Sequence, residues 1–161
     1  MLRMSKLTDY ATLVLAELAR VDGAMLSSAD VAARTGLTGT TVSKLLKSLT
    51  RAGLVNSQRG AQGGYLLARS PDQISAAEVI VALEGPVAIT ECSTEHGNCD
   101  LEAVCSVGGA WQRINVAIYR ALEEISLAEL LSGPGETLTY IDLRSVTTRS
   151  VNVARTAPRA R

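Results

Sequence analysis

Apolar positions recur along the chain as short helical stripes, each closed by a turn signal. Tyr10, Leu13, Val14, Leu18 and Val21 fall at helical spacing. They predict a first helix that starts at Ser5 or Thr8, runs to Val21 and ends at Asp22-Gly23. Ser28 is the expected cap of a short helix over residues 29–35, with Gly36 as its stop. Thr38 caps the next, residues 39–52, closed by Gly53, and its Val42, Leu45, Leu46 and Leu49 face inward. Two short helices joined through a glycine-containing turn form a helix-turn-helix pattern. Residues 54–57 and 65–68 then read as strands on either side of the glycine-rich turn QRGAQGG. A helix-turn-helix followed by a hairpin is the layout of a winged helix.

The pattern continues with Ser75-Ala76-Ala77-Glu78, a capping box for a helix that ends near Leu83 and is broken by Gly85-Pro86. Residues 86–98 read as loop. Beyond Gly108 and Gly109 lies a long helix to about Ile125, with apolar positions Val107, Trp111, Ile114, Ile118, Leu122 and Ile125. Their near-heptad spacing calls for a partner helix. Burial within the same chain is the alternative, but a small winged domain leaves little to cover such a helix. A homodimer is therefore expected, and its two-fold axis would match a palindromic DNA site. Ser126-Leu127-Ala128-Glu129 is a second capping box, for a short helix through Leu131. After Gly133-Pro134-Gly135 the chain turns polar and basic, a tail with a short strand expected at residues 138–143. The fold class is mainly α with a small β-hairpin wing. The expected division is a winged helix-turn-helix over residues 1–85, a cysteine-rich loop over 86–106, dimerisation and short helices over 107–132, and a tail over 133–161.

Charge sharpens this picture. Residues 31–71 hold Arg34, Lys44, Lys47, Arg51, Arg59 and Arg69 and no carboxylate, whereas residues 72–112 hold seven acids and no Lys or Arg. A chain with net charge +0 thus carries one wholly basic block able to bind a polyanion locally. The outer face of the helix over 39–52 carries Thr40, Thr41, Ser43, Lys44, Lys47 and Arg51, groups suited to phosphate oxygens and base edges. Arg59 offers a positive wing tip, and the wing glycines permit close approach to a backbone. Hydrophobic residues make up 47% of the chain with no Phe, which predicts an aliphatic core. No membrane span or cleavable leader is visible, so a cytoplasmic protein is expected. A lone histidine, no nucleophile motif and no phosphate loop argue against an enzyme.

All three cysteines stand in ECSTEHGNCDLEAVC, as Cys92, Cys99 and Cys105, spaced C-x6-C-x5-C. Soft thiolates clustered in an intracellular chain point to zinc or an iron–sulfur cluster rather than a disulfide scaffold. His96 lies among them as an available fourth ligand; a solvated loop histidine is the plainer alternative. Asp9 has an ordinary role as a first-turn acid facing the helix dipole.

The segments SKLTDYA, GLVNSQRGAQGGYLL, the three cysteines and the following helix with SLAELL together resemble the IscR/NsrR/RirA family of bacterial iron–sulfur transcription regulators. The resemblance covers about residues 1–132. The opening MLRMSKLTDYATLVLAEL is most similar to the subgroup that regulates the SUF iron–sulfur assembly operon. It implies a homodimeric winged-helix repressor with a cluster held by Cys92, Cys99 and Cys105. A 2Fe–2S cluster is favoured, with 4Fe–4S as the alternative. The histidine that some members place three residues after the last cysteine is Gly108 here, and Asp9 matches the aspartate ligand of nitric-oxide-sensing members. Asp9 of the second subunit is thus the leading fourth ligand and His96 the second choice. DNA contacts carry over to Thr38, Thr40, Thr41, Ser43, Lys44, Arg59 and Gly60, with Lys47 on the same face. Ser43 replaces a glutamate that tunes operator choice. The expected function is a cluster-sensing repressor of SUF/ISC assembly genes. The rivals are a nitric-oxide- or redox-sensing repressor of the same family and a cluster or redox carrier that does not bind DNA.

Overall fold

A computed structural model of the protein describes residues 4–21, 23–60, 63–90 and 105–132. The elements in chain order are α1 Lys6–Arg20, α2 Ser28–Thr35, α3 Gly39–Arg51, β1 Val55–Gln58, β2 Gly64–Leu67, α4 Ala76–Glu84, α5 Gly108–Glu123 and α6 Leu127–Leu131. A single 3-10 turn, Pro71–Gln73, joins β2 to α4.

Side-chain caps set most of the helix starts. Ser5 accepts from the Leu7 N–H at α1, and Thr38 accepts from the Thr41 N–H at α3. For α2 the cap is Ser27, one residue before the serine expected. Ser27 Oγ accepts from the Asp30 N–H at 3.1 Å while the Ser27 N–H donates to Asp30 Oδ2 at 3.0 Å. Only Ser27 stands three residues before a carboxylate and can form this reciprocal pair. Gly36 then ends α2 at φ +70°, a conformation that costs glycine least.

The core gathers where α1 packs on α2, α3 and α4. Val42, Leu45, Leu46 and Leu49 of α3 are each 0% exposed, as their spacing predicts. They meet Ala11, Val14, Leu15 and Leu18 of α1 together with Val31, Leu54, Ile74 and Val79. Each such leucine, isoleucine or valine side chain contributes roughly 1.5–3 kcal/mol by leaving water. Leu13 is a correction: it was expected on the buried stripe and is 49% exposed, while Ala11 and Leu15 take the inward positions.

The hairpin pairs Val55 with Leu67 and Gln58 with Gly64, antiparallel. Both strands sit one residue away from the expected spans. Leu54 N–H donates to Leu49 O and closes the end of α3, so the ladder begins at Val55. At the turn, a Cβ on Gly63 would lie 2.2 Å from Gln58 O, which only glycine avoids. Leu26, before α2, adds a further rung by exchanging both backbone hydrogen bonds with Tyr65.

Helix α5 packs along α4 yet contains no buried residue. Val107, Trp111, Ile114 and Ile125 of its stripe remain exposed, and Ile118 and Leu122 are half-buried. The chain then returns to the core. Leu127 of α6 is 0% exposed, its N–H donates to Ile74 O at 2.7 Å, and the Ala76 N–H donates to Ile125 O at 2.8 Å. Among the described residues no helix is long and apolar enough to cross a membrane. The strand expected over residues 138–143 and the tail lie outside the described residues.

Candidate nucleic-acid interface and cysteine segment

Helix α3 owes its outer face to its strong division into two sides. Four leucine and valine side chains are drawn into the core, so Thr40, Ser43, Lys44, Lys47 and Arg51 are left exposed. At its start Thr38 Oγ1 lies 3.1 Å from Thr40 Oγ1 and 2.9 Å from Thr41 Oγ1, a cluster of three hydroxyls. No acidic residue stands in this first turn. Unpaired N–H groups and the positive end of the helix dipole therefore meet hydroxyls alone, a setting that favours phosphate.

The six bases of the 31–71 block divide by partner. Arg34 pairs with Glu17 at 3.7 Å and Arg69 with Glu78 at 2.6 Å. Among the described residues, no ion pair engages Lys44, Lys47, Arg51 or Arg59, and all four are exposed. These four lie on α3 and the hairpin, so the face expected to meet DNA is also the face without internal counter-charge. Arg59 and Gly60 stand exposed at the wing, where the Gly63 N–H donates to Gly60 O at 3.0 Å. Residues 61 and 62 lie outside the described residues. A groove of about 450 Å³ runs between α3 and the hairpin, lined by Ser43, Lys47, Thr50, Arg51, Ser57 and Tyr65. Ser57 and Tyr65 were not singled out in the sequence, because only the strand register brings them beside α3.

Of the expected cluster ligands, Cys92, Cys99 and His96 lie outside the described residues. Cys105 is half-buried, forms no disulfide among the described residues, and stands three residues before α5. A Cβ on Gly108 would touch its Sγ at 3.7 Å, so the glycine leaves that flank of the sulfur open. The start of α5 has no side-chain cap and no acid in its first turn. An anionic centre beside it would find a favourable dipole. A thiol at this place therefore fits the soft donor set that an iron–sulfur cluster needs. Asp9 is exposed on the first turn of α1. Among the described residues it is not brought together with two other Cys, His, Asp or Glu side chains.

Two polar anchors, one at the end of α4 and one in the middle of α5, were not noticed in the sequence. Glu84, at the end of α4, accepts from the Ser5 N–H at 3.0 Å, from the Ser5 hydroxyl and from Thr8 Oγ1 at 2.5 Å. The Ser5 and Thr8 hydroxyls hold its carboxyl below the usual range. Asn115 of α5 donates from Nδ2 to Val87 O at 2.9 Å and accepts from the Ile89 N–H at 3.2 Å. An asparagine inside an apolar-striped helix was the available signal.

Comparison with known proteins bears directly on this arrangement. Residues 4–133 match the family model described as Rrf2, iron-dependent transcriptional regulator. The protein Rrf2 of Nitratidesulfovibrio vulgaris is 33% identical over 131 residues, covering 81% of this chain and 87% of its own length. The regulator IscR of Sodalis glossinidius is 32% identical over 149 residues, covering 92% of this chain and 89% of its own. Among solved structures, CymR of Bacillus subtilis, named as its global cysteine regulator, superposes with a TM-score of 0.62. It shares 33% identity over 82% of this chain and 98% of its own. These relatives are transcriptional regulators, not enzymes, and their winged-helix fold agrees with the helices and hairpin seen here. The chain belongs to the Rrf2 family and is a helix-turn-helix transcriptional regulator of the IscR type.

Proposed function

We propose that the protein is a cytoplasmic, homodimeric repressor whose hold on a palindromic operator depends on an iron–sulfur cluster, and that it governs SUF-type cluster-assembly genes. In this reading residues 1–85 contact DNA, 86–106 carry the cluster ligands, and 107–132 pair the two copies. Thr38, Thr40, Thr41, Ser43, Lys44 and Lys47 enter or flank the major groove, while Arg59 and Gly60 approach the neighbouring backbone or minor groove. Cys92, Cys99 and Cys105 would hold the cluster, with Asp9 of the second copy or His96 completing the set. Bound there, the cluster would supply a charge and ligand shell that respond to oxidants, nitric oxide or iron scarcity.

The observation that carries the reading is a coincidence on one helix. Cys105 lies three residues before α5, and α5 is the helix with an apolar stripe and no buried residue. A change at the cysteines therefore acts on the element that sets the spacing of two α3 helices, which must match one DNA turn of about 34–36 Å. The relatives named IscR support the cluster, and the uncovered stripe supports the dimer.

The test is operator affinity of anaerobically purified protein against its metal-free form, on the same palindromic duplex and at fixed salt. A difference of at least about fivefold is expected, the lower range of allosteric coupling. Equal affinities on every duplex tried, or a colourless protein after anaerobic production with ample iron and sulfide, would overturn the reading.

A further inference from the structure

Residues 87–90 have no regular secondary structure, yet their backbone is held by a side chain 26 to 28 positions further on. Asn115 meets the Val87 carbonyl with its N–H₂ end and the Ile89 N–H with its oxygen. A carboxamide is the side-chain group that offers one donor and one acceptor side by side, as a strand edge does. Asparagine is also a poor helix former, so its place in the middle of α5 needs a compensating contact. This one joins the chain just before Cys92 to the helix just after Cys105. Both flanks of the cysteine segment are therefore fixed to the same helix, one by peptide bonds and one by the amide.

The position matters as much as the chemistry. Asn115 follows Ile114 and lies four residues after Trp111 and three before Ile118, along the edge of the apolar stripe. The segment it holds also walls a groove of about 380 Å³ that includes Pro86, Val87, Ile118 and Leu122. A shift of residues 87–89 would change the surface that α5 offers to a second copy.

We propose that Asn115 is a positioning residue that couples the state of the cysteine segment to the pairing helix, and hence to DNA affinity; this rests on the cluster-dependent reading above. It is not a cluster ligand and does not touch DNA.

The experiment compares wild type with Asn115→Leu, which keeps the size and is the better helix former, and with Asn115→Asp, which keeps the acceptor and loses the donor. In metal-free protein, the Ile89 amide should exchange with solvent about tenfold faster in Asn115→Leu, since its acceptor is gone. Cluster absorption and dimer mass should be unchanged in both variants. The ratio of holo to apo operator affinity should fall by about fivefold toward unity in Asn115→Leu, and by less in Asn115→Asp. A ratio equal to wild type in both variants would overturn the proposal. So would loss of absorption or of the dimer in both, which is what a merely structural role predicts. A wild-type ratio of one would instead sink the cluster-dependent reading itself, and the Ile89 exchange rate would still report whether the amide contact exists.

Discussion

Arg59 and Arg69 are ten residues apart in one basic block, yet they face different tasks. Arg69 donates to Gln73 O at 2.9 Å and pairs with Glu78, which fixes the turn before α4. Arg59 has no carboxylate partner among the described residues and stands at the wing. Arg59→Ala should therefore weaken operator binding and lower the slope of log affinity against log salt by about 0.9, the share of one phosphate contact. Arg69→Ala should leave that slope unchanged. Titrating both variants across a salt series checks this. A second residue-scale prediction concerns acid. The hydroxyls of Ser5 and Thr8 hold Glu84 below its ordinary value of 4.5, so the folded chain takes up its proton less readily than the unfolded chain. The stability this adds is complete above pH 4.5 and is lost as pH falls through the lower folded value. Glu84→Gln should melt below wild type near neutral pH, by an amount worth about 0.5 kcal/mol at this solvent-exposed place, and the gap should close in acid. A gap that widened in acid would contradict the assignment.

At the scale of elements, α3 and α5 are opposites. Leu46 of α3 is fully buried, so Leu46→Ala should cost about 2–5 kcal/mol, measured by urea unfolding. Ile114 of α5 is 44% exposed in the single chain. Ile114→Asp should leave the unfolding midpoint of the winged core within a few degrees while shifting sedimentation from dimer to monomer. A wild type that already sediments as a monomer would refute this. The same contrast explains what could be read beforehand. Helices were legible because stripe, cap and stop agree: Thr38, Ser75 and Ser126 all cap where their spacing to Thr41, Glu78 and Glu129 requires. The α2 cap slipped because Ser27 and Ser28 are both good caps, and the choice depended on the reach of Asp30. The strands slipped by one because their register follows from the Leu54–Leu49 hydrogen bond and the Gly63 turn, contacts that period-two patterning does not encode. Leu13 was misplaced because a stripe of adjacent leucines and valines fits two helix rotations, and packing against α2, α3 and α4 chose the other. The exposed face of α3 was legible as residue types, since hydroxyls and bases without acids share one helix side. The anchors Glu84 and Asn115 were not, because each joins positions far apart in sequence.

The whole molecule is organised by the return of α6. Leu127 comes from beyond the long helix, yet it lies at 0% exposure in the same core as Val14 and Leu46. The neighbouring backbone ties Ile125 to Ala76 and Leu127 to Ile74. Helix α5 is thus not a free arm reaching out from a finished domain but a span moored to the core at its C-terminal end. A fragment cut after residue 90 to isolate the DNA-reading half would leave an empty socket where one leucine belongs, and the groups of Ile74 and Ala76 would lose their partners. Such a fragment should express poorly or melt early, and restoring residues 105–132 should recover it. The proposed reader of DNA and α5, the proposed pairing helix, cannot then be inherited, exchanged or evolved as separate modules; a regulator built this way would carry its dimerisation handle wherever its fold goes.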